Sequence, residues 1–451
     1  MAVIGSGAAG IAAAQRLKEA GFRVVVFEQG RIGGKCQTVS CAKAPGVVEL
    51  GAIQVGMPYS LVNRYRKAVG MTLRESWPAR ALFMNNDGEP SQASYKSLSE
   101  YIWPAKDIKS IAREASVMSS ALKRFKSIND SNFTDIPKDS EFLQPFEVWA
   151  NRLSLPHFKK EYSIWMTAYG YGRLNEVPTF LALSLLNSSY GLIAMRKANM
   201  NLRMLSEGYG NLLARVVEHY DLDVKTGTHV TVVERREDRI VIAYGNDQFR
   251  NIEEFGYMVV ASGLNSIYSL LGELATDTEK KLVKDIRYSP YDVVIANVPD
   301  LDKGGYILPE FFDRLGHVVM ISKNSSGGEE AILYVPRAGF QRPSWQELSD
   351  SVKEDLAHFG FKDAEILRMV HWDDYFPHFK SPESYELLNK IQGQNRTIIV
   401  GEIARFAIVE RAMQHAHDMV DQHIKGVPPA IIPSSWIEPI KDYLSAKRKE
   451  Q

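Results

Sequence analysis

Val3-Ile4-Gly5-Ser6-Gly7-Ala8-Ala9-Gly10 runs an apolar strand into three glycines spaced G-x-G-x-x-G, and Ala12, Ala13 and Ala14 favour a helix directly behind them. The glycines serve three separate ends, which are a tight turn, close backbone approach to a pyrophosphate, and close packing of helix on strand. The helix start would supply unpaired N–H groups and the positive end of its dipole to the phosphates. Gly21 marks the helix end, and Val24-Val25-Val26-Phe27 then reads as a buried parallel strand. Glu28, 18 positions after Gly10, stands where an acid meets a ribose hydroxyl. Strand, turn, helix, second strand and acid in that order predict a doubly wound α/β nucleotide fold.

The rest of the composition narrows the classes. At 451 residues the chain is too long for one typical core, so two lobes are expected. Lys plus Arg and Asp plus Glu are 54 each, a balance that gives no electrostatic reason to expect a nucleic-acid partner. The two cysteines, Cys36 and Cys41, exclude a disulfide framework and fit a reducing compartment, so a cytoplasmic protein is expected. The apolar start lacks a basic region ahead of it and does not read as a signal peptide; whether residues precede Met1 is open. No apolar run reaches the length of a membrane span.

Further along, Leu61, Tyr65 and Val69 predict a helix over 59–70, and Arg80 to Met84 a strand followed by an Asn-Asn-Asp-Gly turn. Residues 97–165 read as mostly helical, with Ser97 or Ser99 as caps and Ile108, Ile111, Ala115, Met118 and Leu122 on one face. Met166-Thr167-Ala168-Tyr169-Gly170-Tyr171-Gly172 is either a ligand wall or a tight packing turn; its glycines permit close approach and its tyrosines give flat apolar faces. A helix from Gly208 to Glu218, strands at 228–233, 239–244 and 258–263, more strands at 291–296 and 317–321, and a helix from Trp345 to Phe359 follow. Thr397-Ile398-Ile399-Val400-Gly401-Glu402 reads as a buried strand ahead of a last helix, about 410–423. His415 and His417 lie two apart on that helix and do not share a face, so they read as packing or surface residues and no metal site is expected.

Gly33-Gly34-Lys35-Cys36-Gln37-Thr38 and Glu49-Leu50-Gly51-Ala52 complete a series of four elements within the first 52 residues. In this series the chain resembles the flavin amine oxidase superfamily. The resemblance implies FAD and a Rossmann-type FAD-binding domain with an inserted mixed-sheet substrate domain and a helical lobe. The implied FAD-binding segments are 1–75, 205–284 and 371–425. Residues 76–204 and 285–370 would form the substrate domain, and 426–451 a tail. Gly5, Gly7, Ala8, Ala9, Gly10, Glu28, Gln29, Gly33, Gly34 and Lys35 would hold the adenosine diphosphate. Gly51, Ala52 and Ile53 would lie under the isoalloxazine and Val230 against adenine. Ala261 and Gly263 fall near the diphosphate, Gly401 and Glu402 at the ribitol, and Val409 and Glu410 at the flavin pyrimidine.

Within the superfamily the chain is similar to bacterial polyenoic fatty acid isomerases over nearly its whole length, through the Ala168 to Gly172 turn, Tyr375-Phe376-Pro377-His378 and Gly401-Glu402-Ile403 among others. Such an enzyme takes a hydride from the carbon between two double bonds and returns it elsewhere on the chain, conjugating the diene without net oxidation. The implied substrate is a carboxylated, apolar lipid. Arg80, ahead of Asp87-Gly88-Glu89, would meet its carboxylate, though a surface cation on a strand fits Arg80 equally. Tyr169, Tyr171, Trp372 and Tyr375 would wall the tunnel, as would the divergent stretch 185–205. Asp292-Val293-Val294 falls where amine oxidases place a lysine beside the flavin. Three classes stay open: such an isomerase, an FAD oxidase or desaturase of an amine or apolar substrate, and a non-enzymatic binder on the same fold. Oligomeric state is not legible.

Overall fold

The computed structural model describes residues 1–43, 45–56, 59–75, 79–83, 94–125, 128, 132–185, 203–245, 250–301, 304–324, 329–424 and 426. Its first layer is a parallel five-stranded sheet in the order Asp223–Lys225, Val25–Phe27, Ala2–Ile4, Met258–Val260, Thr397–Ile399. The predicted strand–turn–helix opens it: Ala2, Val3, Val25 and Val26 are fully buried, and the helix Ala8–Glu19 returns across the sheet. That helix is buried along most of its length because its alanines let the last helix, Val409–His423, pack on it. Buried Arg16 ties the two through Asp421 at 2.6 Å. A side chain at Gly10 would put its Cβ 2.0 Å from the Gly5 carbonyl oxygen, so glycine is required for the helix to lie this close.

The second layer is a mixed seven-stranded sheet in the order Glu365–Trp372, Tyr291–Asn297, Glu330–Pro336, Met320–Lys323, Gly305–Ile307, Ala79–Phe83, Ser94–Ser97. It is antiparallel except where Gly305–Ile307 runs parallel to Ala79–Phe83, which places Arg80 opposite Tyr306. The strand expected at 317–321 starts only at Met320. Asp355 takes the His317 ring and the Val318 N–H, each at 2.8 Å, and so withdraws them from the sheet. Ser97 caps the next helix with Glu100 in a reciprocal pair, as its spacing suggests. The helix Ile108–Arg124 keeps most of the expected face, with Met118 buried and Ile111, Ala115 and Leu122 half-buried; Ile108 at its start is 68% exposed, and Glu114 is buried on the same side. The Glu114 carboxylate accepts the His157 and Phe158 N–H groups and the His157 ring, anchoring the helix that starts at Pro156.

Two buried apolar clusters fill the molecule, one under each large sheet, and Tyr169 and Tyr375 pack against both. Between them the chain Ile164–Ala168 winds as a π-helical turn, closed by Tyr171 N–H donating to the Met166 carbonyl at 2.7 Å. Among the described residues no helix is long and apolar enough to cross a membrane.

His415 and His417, read as packing or surface residues, are both buried, and His417 Nε2 meets the Tyr65 hydroxyl at 3.1 Å. Burial pushes His378 down to about 4 and His415 and His417 down to about 3, so all three are folded as neutral rings. An unfolded histidine titrates near ~6.5. Folding stability is therefore complete above that pH and falls as protons bind the unfolded chain below it. Each ring should cost on the order of 1–2 kcal/mol by about pH 5. Thermal unfolding followed between neutral pH and about pH 5 should show Tm falling steadily, and His417→Gln should flatten that slope; an unchanged slope would remove His417 from the account.

Candidate functional site

A cavity of about 780 Å³ runs from the glycine turn across the seam between the two sheets. At its first end Gly5, Gly7, Ala8 and Ala9 form the wall. Among the described residues Gly7 precedes the helix without any side-chain cap, no acid stands in the first turn, and a Cβ on Gly7 would meet nothing within 4 Å. The first N–H groups of a twelve-residue helix thus open on the cavity with the positive end of the dipole behind them, a donor set that suits a diphosphate. Glu28 closes this end. Its carboxylate accepts the Ser6 N–H and hydroxyl at 2.8 Å each and the Gly30 N–H at 2.7 Å, which ties the turn to the second strand.

Midway, Lys35 reaches Glu402 and the Asp374 carbonyl, with the Asp374 carboxylate at 3.3 Å. Burial works against its charge, but the two carboxylates outweigh it and hold the ammonium above its ordinary value. Gly51 lets Lys35 pass, since a Cβ there would lie 1.7 Å from the Lys35 carbonyl oxygen. Cys36 is buried beside them and burial pushes its thiol well up, so it is a packing residue rather than a reactive thiolate.

The far end is aromatic. Tyr171, Tyr375, Tyr291 and Tyr334 stack in series, at 6.2, 5.4 and 6.0 Å between ring centroids and within 28° of parallel. Trp165 stacks on Tyr169 at 5.3 Å. Gly170 makes this possible, because a Cβ on it would press into the Tyr375 ring at 2.8 Å and the Tyr291 ring at 3.0 Å. Of the two readings of the Met166–Gly172 stretch, the turn does the packing while its tyrosines also line the cavity.

The cavity brings together Gly5, Gly7, Ala8, Ala9, Glu28, Gln29, Gly33, Gly34, Lys35, Gly51, Ala52, Ile53, Val230, Ala261, Gly263, Gly401, Glu402 and Val409 with Tyr169, Tyr171, Trp372 and Tyr375. Two expected residues do not line it. Gly10 is occupied with helix packing. Glu410 is turned away: its carboxylate accepts the Leu61 and Val62 N–H groups at 2.8 and 3.0 Å and the Ser60 hydroxyl at 2.8 Å, capping the helix Ser60–Ala68. Of Arg80 only the strand position is described; its side chain, the Asp87-Gly88-Glu89 turn, residues 186–202 and the stretch after 426 lie outside the described residues. Trp165, Tyr334, Gln54 and Asp374 also line the cavity, although the sequence does not single them out. Trp165 sits four residues before Tyr169, a helical spacing that marks one face. Tyr334 lies in a continuously buried strand, Glu330–Pro336, where nothing in the sequence separates it from core.

Comparison with known proteins gives this geometry a context. A family model described as flavin containing amine oxidoreductase matches residues 8–300, more than half of the chain. The chain belongs to that family. Among solved structures, a CLA-producing fatty acid isomerase from P. acnes superposes with a TM-score of 0.80 at 21% identity, covering 94% of this chain and 98% of that one. Wild-type putrescine oxidase bound to putrescine gives 0.70 at 13%, covering 93% and 98%. Cyclohexylamine oxidase from Brevibacterium oxydans gives 0.69 at 14%, covering 93% and 97%. At these identities the likeness is one of fold. The L-amino-acid oxidases of Siganus canaliculatus and Mus musculus are 33% identical over 72 residues and 32% over 74, which is 16% of this chain and 14% and 12% of those relatives' length.

As a flavin amine oxidoreductase family member the protein is a flavoenzyme, and its cofactor is FAD. The uncapped helix start fits the diphosphate, and Glu28 has its carboxylate at the same end. We propose that this carboxylate also accepts a ribose hydroxyl, and losing such a charge-assisted acceptor costs on the order of 1.5–3 kcal/mol of affinity. Glu28→Ala should purify largely as apoprotein, read from the ratio of flavin to protein absorbance; full occupancy would place the ribose elsewhere. Cys36 borders the glycine loop, away from the stacked rings, and Cys41 does not line the cavity. Flavin should therefore pass a filter freely after denaturation, and colour retained on the chain would show a covalent link.

Proposed function

We propose that this flavoenzyme is an isomerase of an unsaturated, carboxylated lipid. The reading is carried by the direction of the ring tips at the aromatic end. Tyr171 donates to the Ala407 carbonyl at 3.1 Å, Tyr375 to the Tyr169 carbonyl at 3.3 Å and Trp372 to the Leu50 carbonyl at 2.7 Å. Their polar atoms are spent on backbone, which leaves ring faces and edges to the cavity. Burial pushes the Tyr169 hydroxyl up to about 12 and those of Tyr334 and Tyr375 up as well, so the tyrosines stay neutral at any working pH. A slot of neutral rings suits a hydrocarbon chain.

When bound, the flavin supplies a site that accepts a hydride and gives it back. The chain's own residues do the rest. The stacked tyrosines narrow the slot, hold a flexible polyene in few conformations and keep water from the reacting carbons. Arg80 is our candidate for the carboxylate anchor, since a guanidinium grips a carboxylate through two parallel hydrogen bonds. Asp292, on the strand where an oxidase lysine is expected, is turned into a buried network with His371 at 2.8 Å and Arg337 at 3.3 Å. We place the enzyme in the cytoplasm, on the strength of its two free thiols.

Incubation with a methylene-interrupted polyunsaturated fatty acid should produce the ultraviolet absorbance of a conjugated diene. Deuterium at the central methylene should reappear on another carbon of the same molecule. Stoichiometric hydrogen peroxide would instead identify an oxidase. Arg80→Leu should raise KM for the acid by roughly tenfold or more, as expected for a lost charged hydrogen-bond pair, and change that of its methyl ester little; equal losses for both would remove Arg80 from the role.

A further inference from the structure

Two rings at the aromatic end break the pattern of spent polar atoms. Among the described residues the Tyr334 hydroxyl, on a residue 5% exposed, has no hydrogen-bond partner, and the indole N–H of Trp165, 7% exposed, has none either. Both residues line the cavity, and both belong to the same aromatic group, Tyr334 stacked on Tyr291 and Trp165 on Tyr169. Tyr169 adds a third polar tip, whose oxygen already accepts Gln54 Nε2 at 3.0 Å, so that its own proton is directed elsewhere. The indole can only donate, and the Tyr334 hydroxyl stays protonated because burial pushes it well up.

A buried donor left unpaired keeps its full desolvation penalty, and native interiors avoid this in the great majority of cases. A plain hydrocarbon filling the slot would leave both donors unpaired. An acceptor oxygen on the ligand within reach of either donor would satisfy it, and a site built this way discriminates strongly against analogues that lack the oxygen. The groups are neutral, so they suit an uncharged oxygen rather than a second carboxylate. We propose that the aromatic end is a subsite for an uncharged acceptor oxygen, and that the lipid taken by the enzyme carries a ketone or similar oxygen function along its chain besides its carboxylate. This rests on the lipid reading above and names the substrate class within it.

The test uses purified holoenzyme and the perturbation of its flavin absorbance on titration. The probes are linoleic acid and chain-matched acids bearing a single ketone at successive positions. At least one keto position should bind roughly fivefold to tenfold more tightly than linoleic acid, the gain expected of one recovered neutral hydrogen bond. Tyr334→Phe and Trp165→Phe should each weaken the preferred keto acid by a larger factor than they weaken linoleic acid, so that the preference shrinks, with flavin content confirming that the variants fold. Equal binding at every ketone position overturns the subsite while leaving the lipid reading standing. A preference that survives in both variants also overturns it. If the variants instead move the flavin absorption maximum without any ligand and no keto preference exists, the donors belong to the cofactor and the subsite is overturned. Failure of every fatty acid to bind overturns both readings.

Discussion

The helix Ala8–Glu19 can start where it does because nothing stands on the Cα of Gly10. With a 2.0 Å approach to the Gly5 carbonyl otherwise blocked, the helix axis would have to move away from the strand, and its first N–H groups would leave the cavity edge. The other contacts at this end follow from that placement. Glu28 can bridge to the turn, and the glycine pair Gly33-Gly34 can cross it, with Gly7 and Gly33 bridged as neighbouring strands. The helix Val409–His423 can pack on the alanine face. A steric permission at one atom therefore sets the glycine-turn end of the cavity.

The other end depends on a second permission of the same kind. Gly170 clears the space in which Tyr375 and Tyr291 lie against the π-helical turn, and the stack then joins the two apolar clusters. Pockets favour such seams, because two packed bodies seldom meet without a gap. Here the gap is shaped by rings whose polar tips mostly point into the protein. The same packing that fixes the walls leaves Tyr334 and Trp165, among the described residues that line the cavity, with polar atoms that have no protein partner.

Charge in the middle of the cavity serves a different purpose. Lys35 comes from the loop after the glycine pair Gly33-Gly34, Asp374 from just past the end of a strand of the second sheet and Glu402 from the turn after the last strand of the first. Three distant stretches are held together by one ammonium, partly shielded from water, where removing one partner costs more than it does on the surface. Glu410 does similar work nearby, closing the start of the helix Ser60–Ala68 from a helix some 350 residues later in the chain.

The sequence by itself determined the glycine-turn end of the cavity. Its signals are local: glycines at fixed offsets, a helix start, a strand and an acid lie within a few turns of chain, and each needs its residue type for a backbone reason that no distant contact alters. It also marked the aromatic turn, because glycine and tyrosine in alternation have few physical uses. Tertiary structure alone decided which polar groups remain available. Glu410 stands at a helix start that faces the cavity through Val409, yet its carboxylate is used up by Leu61 and Val62. Glu114 interrupts an apolar face because His157 lies over it, and His415 and His417 are neutral because of what surrounds the last helix. Tyr334 looks like any residue of a buried strand until the partner of its hydroxyl is sought. Hydrogen-bond partners and burial are properties of residues far apart in the chain, so no spacing encodes them.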